Sequence, residues 1–259
     1  MPNTLQLKEI VRLVRETVFP EFHAERGKDA LPERMTQLYY VLKKQIENGL
    51  HFFAEQTDDG CQDKCSEVLT KAFLERLPEL KRLLYTDVQA MYDGDPAAQF
   101  CGEVIICYPS IQAMTHYRTA HELLKLGIPV IPRIITELAH SQTGIDIHPG
   151  AQIGEYFCID HGTGVVIGET CIIGNHVRLY QGVTLGARSF TLDERGNPVN
   201  VPRHPIIEDN VIVYSNSTIL GRITIGHDSV IGGNVWLTNS VPPHSRIVQQ
   251  KASGHGEKQ

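Results

Sequence analysis

Residues 147–185 read IHPGAQIGEYFCIDHGTGVVIGETCIIGNHVRLYQGVTL, and this stretch decides the fold. Aliphatic side chains fall at Ile147, Ile153 and Ile159 and resume at Ile167, Ile173, Leu179 and Leu185. They return at Ile207, Val213, Ile219, Ile225, Ile231 and Leu237, six residues apart within each run. A second small or apolar residue often stands two positions earlier, as at Phe157, Val165, Cys171, Val177, Val183, Val211, Ile223 and Val235. Glycine commonly follows the marker, as at Gly154, Gly168, Gly174, Gly186, Gly226 and Gly232. Neither the helical period nor two-residue alternation produces this spacing, whereas a hexapeptide β-helix does. Each hexapeptide is a short strand and a tight turn. Three of them make one triangular coil, and stacked coils fill their interior with the aliphatic column.

The repeat breaks twice. From Ile159 to Ile167 the step is eight, and the extra residues lie in Asp160-His161-Gly162-Thr163-Gly164. From Leu185 to Ile207 the step is 22, four more than three repeats, and this polar excursion ends in Arg203-His204-Pro205. Insertions in a solenoid emerge as loops, and such loops often bind ligands.

Ahead of the repeat the chain reads as helices. Amphipathic patterns start at residue 36 and cover 66–84 and 87–92, the last stopped by Gly94-Asp95-Pro96. Tyr108-Pro109-Ser110 opens a further helix that Gly127 and Pro129 end, and residues 131–139 form the last one. The expected architecture is therefore α+β. A helical N-terminal domain spans 1–143, a left-handed parallel β-helix spans 144–240, and a polar C-terminal tail spans 241–259.

Composition narrows the function. The net charge of -6 carries no basic footprint for nucleic acid. No run of eighteen apolar residues suggests a membrane span, and the N-terminus lacks a signal-peptide pattern, so a cytoplasmic location is expected. Cys61, Cys65, Cys101, Cys107, Cys158 and Cys171 read as reduced thiols. Cys61 and Cys65 have no second Cys/His pair at zinc spacing, and no metal is expected.

DIHPGAQIG and DHGTGVVIGET resemble the serine O-acetyltransferases, hexapeptide-repeat enzymes that make O-acetylserine for cysteine synthesis. The likeness extends to Asp95-Pro96-Ala97, Tyr108-Pro109, Gln112-Ala113, Tyr117-Arg118 and His121, and covers roughly residues 85–245.

Acetylating an alcohol needs a base for the hydroxyl proton, and His161, in the break of the repeat, is suited to that task. Asp146 lies fifteen residues earlier, almost one coil, where a carboxylate can steady the imidazole. The resemblance gives both residues these roles. Arg203 can grip a carboxylate with two hydrogen bonds. The resemblance implies that Asp95 and Asp160 receive the substrate ammonium and that His204 completes the L-serine pocket where the two domains meet. It implies acetyl-CoA as donor, lying in a groove between neighbouring solenoids against Gly186, Ser215 and Gly233, with an oxyanion donor near Gly186 or Ala187. It further implies a trimer or a dimer of trimers, and L-cysteine as a feedback inhibitor. No Gly-x-Ser-x-Gly elbow is present, so direct attack in a ternary complex is expected.

The sequence departs from that family at Leu185-Gly186-Ala187-Arg188, where two glycines and a threonine are common, and in a longer loop over 188–201. Its last residue is Gln259 instead of the isoleucine by which many members dock in O-acetylserine sulfhydrylase, so that partner is possible but doubtful. The competing readings are a hexapeptide enzyme for another small hydroxyl or amino acceptor, a zinc enzyme of the carbonic anhydrase type, and a non-catalytic scaffold.

Overall fold

The computed structural model describes residues 1–22, 30–57 and 65–249. Among them are seven α-helices: α1 (Thr4–Val18), α2 (Leu31–Gln56), α3 (Ser66–Leu74), α4 (Leu77–Gly94), α5 (Cys101–Cys107), α6 (Pro109–Lys125) and α7 (Ile131–Thr143). The sequence pattern predicts one helix over 66–84 and another over 87–92. The chain instead breaks after Leu74 and then runs unbroken to Gly94. Pro78 explains the difference. Its ring clashes with the carbonyl four residues back, at Leu74, and it is tolerated only in a first turn. From there the stripe Leu77, Leu80, Leu84, Val88 and Met91 is buried along α4. The last helix passes the expected residue 139 and stops at Gly144, whose φ of 70° gives the left-handed cap that glycine adopts readily.

The repeat forms three parallel sheets. The first face holds β1 (Asp146–Ile147), β4 (Val166–Ile167), β7 (Thr184–Gly186), β10 (Thr218–Leu220) and β13 (Trp236–Leu237). The second holds β2 (Gln152–Ile153), β5 (Ile172–Ile173), β8 (Ile206–Ile207) and β11 (Thr224–Ile225). The third holds β3 (Cys158–Asp160), β6 (Arg178–Tyr180), β9 (Ile212–Val213), β12 (Val230–Ile231) and β14 (Arg246–Ile247).

Register explains the six-residue period. Ile147, Ile167, Leu185 and Ile219 stack on one face, and Ile159, Leu179, Val213 and Ile231 on another, all nearly inaccessible. The preceding apolar positions fill the inner corners. Two of those corners carry serine instead, and each hydroxyl finds a backbone carbonyl: Ser217 at Gly232 and Ser229 at Pro242. Pairing continues past residue 240, through a bridge from Val241 to Ile225 and through β14.

The helices are joined to the first coil by polar contacts from residues that the sequence groups together. Arg118 donates to Asp87 through Nε (2.6 Å) and Nη2 (2.7 Å), and Nη2 also reaches the Gly154 carbonyl (2.8 Å). Asp87 also accepts the Phe157 N–H (3.2 Å), and both side chains of the pair are buried. Tyr117 donates to the Ala151 carbonyl (2.6 Å) and His121 to that of Pro149 (2.8 Å).

Cys158 and Cys171 are free and buried, while Cys65 and Cys107 are free and exposed. Cys61 and Gln259 lie outside the described residues. Among the described residues no helix is long and apolar enough to cross a membrane.

Candidate active site

The eight-residue step becomes a bulged corner between β3 on the third face and β4 on the first. In later coils this corner turns on one left-handed residue: Gly182, Asn216 or Asn234. In the first coil it holds three: His161 (φ 57°), Gly162 (φ 92°) and Gly164 (φ 81°). The extra residues carry His161 outward, and its side chain is 72% exposed. A positive φ at a single residue is the ordinary turn of this solenoid, so the distinctive feature here is the run of three. A side chain at Gly162 would be strained by its φ of 92° and would have to displace Ile145, whose Cδ1 lies 2.5 Å from the Cβ position.

Asp160 and Asp95 flank this histidine. His161 Nε2 stands 3.7 Å from Asp160 Oδ1. Asp95 follows the last turn of α4 and turns back on itself, its Oδ1 accepting the Ala97 N–H at 2.8 Å. Its Oδ2 accepts the Tyr108 hydroxyl at 2.5 Å. That hydroxyl, the Ala97 N–H and the positive field of His161 hold the Asp95 carboxyl below its ordinary range. The solenoid fixes this segment from its own side, since Arg178 Nη1 on β6 donates to the Gly94 carbonyl at 3.0 Å.

Asp146 flanks the same corner from the first face, paired with Val166, while the Gly164 N–H donates to Gly144. The structure brings Asp146 and His161 to one corner but places no hydrogen bond between them. Asp146 instead offers its carboxylate within 4.8 Å of ligand atoms of Glu137 and His140.

Arg203 and His204 occupy a different corner, between β7 on the first face and β8 on the second. Arg203 Nη2 donates to Glu169 (2.6 Å) and Nη1 to Asn200 Oδ1 (2.9 Å). His204 is buried and takes the Thr170 N–H on Nδ1 at 3.1 Å. An N–H can only donate, so the ring carries its proton on Nε2. Arg222 braces the segment by donating to the carbonyls of Thr170 (2.6 Å) and His204 (3.0 Å). Among the described residues the Ala187 N–H, one residue past β7, has no partner.

The two corners lie on opposite edges of the first face, roughly 13 Å apart for a four-residue span at about 3.3 Å per residue. The expected coenzyme contacts divide in the same way. Ser215 and Gly233 stack above His161's corner, and Gly186 and Ala187 lie at the other. The loop over 188–201 folds into a small hairpin, with a bridge from Leu192 to Pro198 and Phe190 exposed.

Sequence reasoning missed the supporting roles of Tyr108, Glu169, Thr170, Arg178 and Arg222. The available signal was a charged residue on an otherwise aliphatic strand, as in His176-Val177-Arg178-Leu179-Tyr180.

Burial, then the nearby Arg203, pulls His204 down from 6.5 to about 4. Burial also lowers His116, His121 and His148. A histidine whose folded value lies below its unfolded one costs nothing above about 6.5 and destabilises as the pH falls toward 4, because the unfolded chain gains the proton first. The melting temperature should therefore drop between pH 7 and pH 5, and His204→Asn should shrink that drop. An equal drop in the variant would remove His204 from the explanation. Burial pushes Cys158 and Cys171 up to about 12, so neither is a thiolate nucleophile near neutral pH.

The bacterial transferase hexapeptide (six repeats) family matches residues 204–239. A plasmid-borne serine acetyltransferase of Synechococcus elongatus is 61% identical over 96% of this chain and 82% of its own length. The serine acetyltransferase of Staphylococcus xylosus is 47% identical over 65% of this chain and 74% of its own. The crystal structure of serine acetyltransferase isoform 3 from Entamoeba histolytica, in complex with cysteine, superposes with a TM-score of 0.81 at 35% identity, covering 100% of this chain and 86% of that one.

Proposed function

The chain belongs to the serine acetyltransferase family, and from that membership we propose that it moves the acetyl group of acetyl-CoA onto the hydroxyl of L-serine with His161 as general base. His161 takes the hydroxyl proton as the serine oxygen attacks the thioester carbonyl. The oxyanion forms against the unpartnered Ala187 N–H. Collapse breaks the carbon–sulfur bond, and the departing thiolate takes the proton back from the imidazolium. The products are O-acetylserine and CoA, and no acyl-enzyme forms. Asp146 orients the imidazole once substrate is bound, since catalytic hydrogen bonds often tighten only in the occupied site. Asp95 and Asp160 receive the serine ammonium, and Arg203, held in position by Glu169 and Asn200, takes its carboxylate.

One observation carries this reading. The ammonium-binding acids and the base stand at one corner of the solenoid, and the carboxylate-binding arginine, His204 and the oxyanion donor stand at another. A serine molecule is too small to bridge them within one chain. The site closes when the His161 corner of one copy meets the Arg203 corner of the next, as in a trimer of side-by-side solenoids. The groove between copies then offers acetyl-CoA the Ser215 and Gly233 edge of one chain and the Gly186 edge of its neighbour. The cysteine complex of the Entamoeba histolytica relative supports the same pocket accepting L-cysteine in place of serine.

Mixed assemblies test the shared site. His161→Ala and Arg203→Ala chains should each be nearly inactive alone. Co-expressed in equal amounts, they should recover about a quarter of wild-type activity, since half the sites draw an intact histidine and half of those an intact arginine. Activity no greater than that of the parent variants, in assemblies verified as mixed, would place the whole site within one chain.

A further inference from the structure

The corner between the second and third faces turns on one left-handed residue in every coil: Tyr156, His176, Asn210, Asp228 and His244. Stacked strands lie about 4.8 Å apart, so side chains at one corner form a column with that spacing. Toward the C-terminal end the column changes chemistry. Asn210, Asp228 and His244 follow one another in three successive coils, and His227 sits beside Asp228.

Both imidazoles turn to the same oxygen. His227 Nδ1 donates to Asp228 Oδ2 at 2.7 Å, and His244 Nδ1 stands 3.7 Å from that oxygen. The two rings lie edge to face, with centroids 4.9 Å apart. One donor atom from each of His227, Asp228 and His244 falls within 4.8 Å of the others.

The surroundings fix these groups. Asn210 Nδ2 donates to the other Asp228 oxygen at 3.1 Å, as the outer partner of a metal-bound carboxylate commonly does. The His244 N–H donates to the His227 carbonyl at 2.9 Å, and the His227 N–H to Glu208 Oε2 at 2.8 Å. The backbone is therefore set before any ligand arrives. His227, Asn210 and Glu208 also line a cleft of about 530 Å³ with Ile172 and Ile206, which leaves one side of the cluster open to water.

We propose that His227, Asp228 and His244 form a binding site for a divalent transition metal of the zinc class, remote from His161, that ties the last coils of the solenoid together. Two imidazoles and one carboxylate are a borderline donor set that suits zinc, cobalt or nickel and not magnesium or calcium, which prefer oxygen alone. Three protein ligands and one water complete a tetrahedron. Tetrahedral bonds of about 2.0–2.1 Å set neighbouring donors about 3.3 Å apart, so small ring rotations open the 2.7 Å contact of His227 with Asp228 and close the 3.7 Å gap to His244. The metal takes the Nδ1 lone pair of His227 in place of the hydrogen bond to Asp228, and the ring's one proton moves to Nε2, which faces away from the site. Because the ligands come from successive coils, binding favours the folded end of the stack.

The test uses the full chain stripped with chelator. Titration with zinc, followed by calorimetry, should give one site per chain. Cobalt should give the visible absorption of a tetrahedral ion, and zinc should raise the melting temperature. His227→Asn and His244→Asn should each abolish that site, with an unchanged melting temperature in chelator and unchanged serine acetylation. His140→Asn, in the separate cluster with Glu137 and Asp146, should retain it. Zinc binding of equal stoichiometry in the His227→Asn/His244→Asn double variant would overturn the proposal, as would the absence of binding by the wild type at micromolar concentrations.

Discussion

Replacing His161 with alanine should lower kcat for O-acetylserine formation by about 10²–10⁴-fold, the range typical of a lost general base. The variant should fold normally, because the side chain is exposed and packs against nothing in the core. Serine-dependent thiol release from acetyl-CoA measures the loss. Asp146→Asn and Asp160→Asn separate two carboxylates at the same corner. If Asp146 orients the imidazole, its variant loses kcat with little change in the serine KM. If Asp160 holds the ammonium, its variant raises that KM. The opposite assignment would follow from the reverse pattern, since Asp160 is the carboxylate that stands 3.7 Å from His161 in the free chain. A His161→Ala enzyme with near wild-type kcat would remove the proposed mechanism altogether.

Asp87→Ala should be the most destabilising single substitution at the junction of helices and solenoid, by about 3–5 kcal/mol. Arg118 would be left as an unpaired guanidinium at 4% exposure, and the Phe157 N–H would lose its acceptor. The attraction within a buried pair does little more than offset its desolvation, so breaking one side costs far more than removing both. Asp87→Leu with Arg118→Met should therefore recover most of the loss. Chemical denaturation of the three proteins measures this, and a single-variant loss below about 1 kcal/mol would contradict the buried geometry. Function should change as well. Asp87 and Asp95 stand at the middle and the end of the same segment, so unseating α4 should raise the serine KM in the single variant and restore it in the double.

The solenoid was legible because its period is a property of consecutive residues. Every third marker joins the same face, and the two breaks carry the residues proposed for the chemistry. The division of the site was also present in that count. His161 follows the third marker of a coil and Arg203 follows the first, so they turn different corners. The resemblance grouped them as one pocket and hid the distinction. Helix boundaries were less legible around Leu74, where Pro78 outweighs an apolar stripe that continues through it. The convergence of His227 and His244 could not be read from spacing. They lie seventeen residues apart, one short of a full coil, because the chain steps early through Val241 to rejoin Ile225. The Asp146 carboxylate shows the limit of coil arithmetic. The count brings it to the corner of His161, but its carboxylate stands with Glu137 and His140 of α7.

The helical layer touches the solenoid through backbone groups of the first coil: the carbonyls of Pro149, Ala151 and Gly154 and the N–H of Phe157. Those groups belong to the open edge of the stack, where another coil or another molecule would otherwise add by hydrogen bonding. The helices thus act as a stopper that prevents end-to-end filament growth. They read the first coil and, through Arg178 at the Gly94 carbonyl, the second, so rungs can be gained or lost further up over evolutionary time without redesigning the stopper. His161, the proposed base, follows the last strand of that bottom rung and keeps its place whatever length the ladder takes.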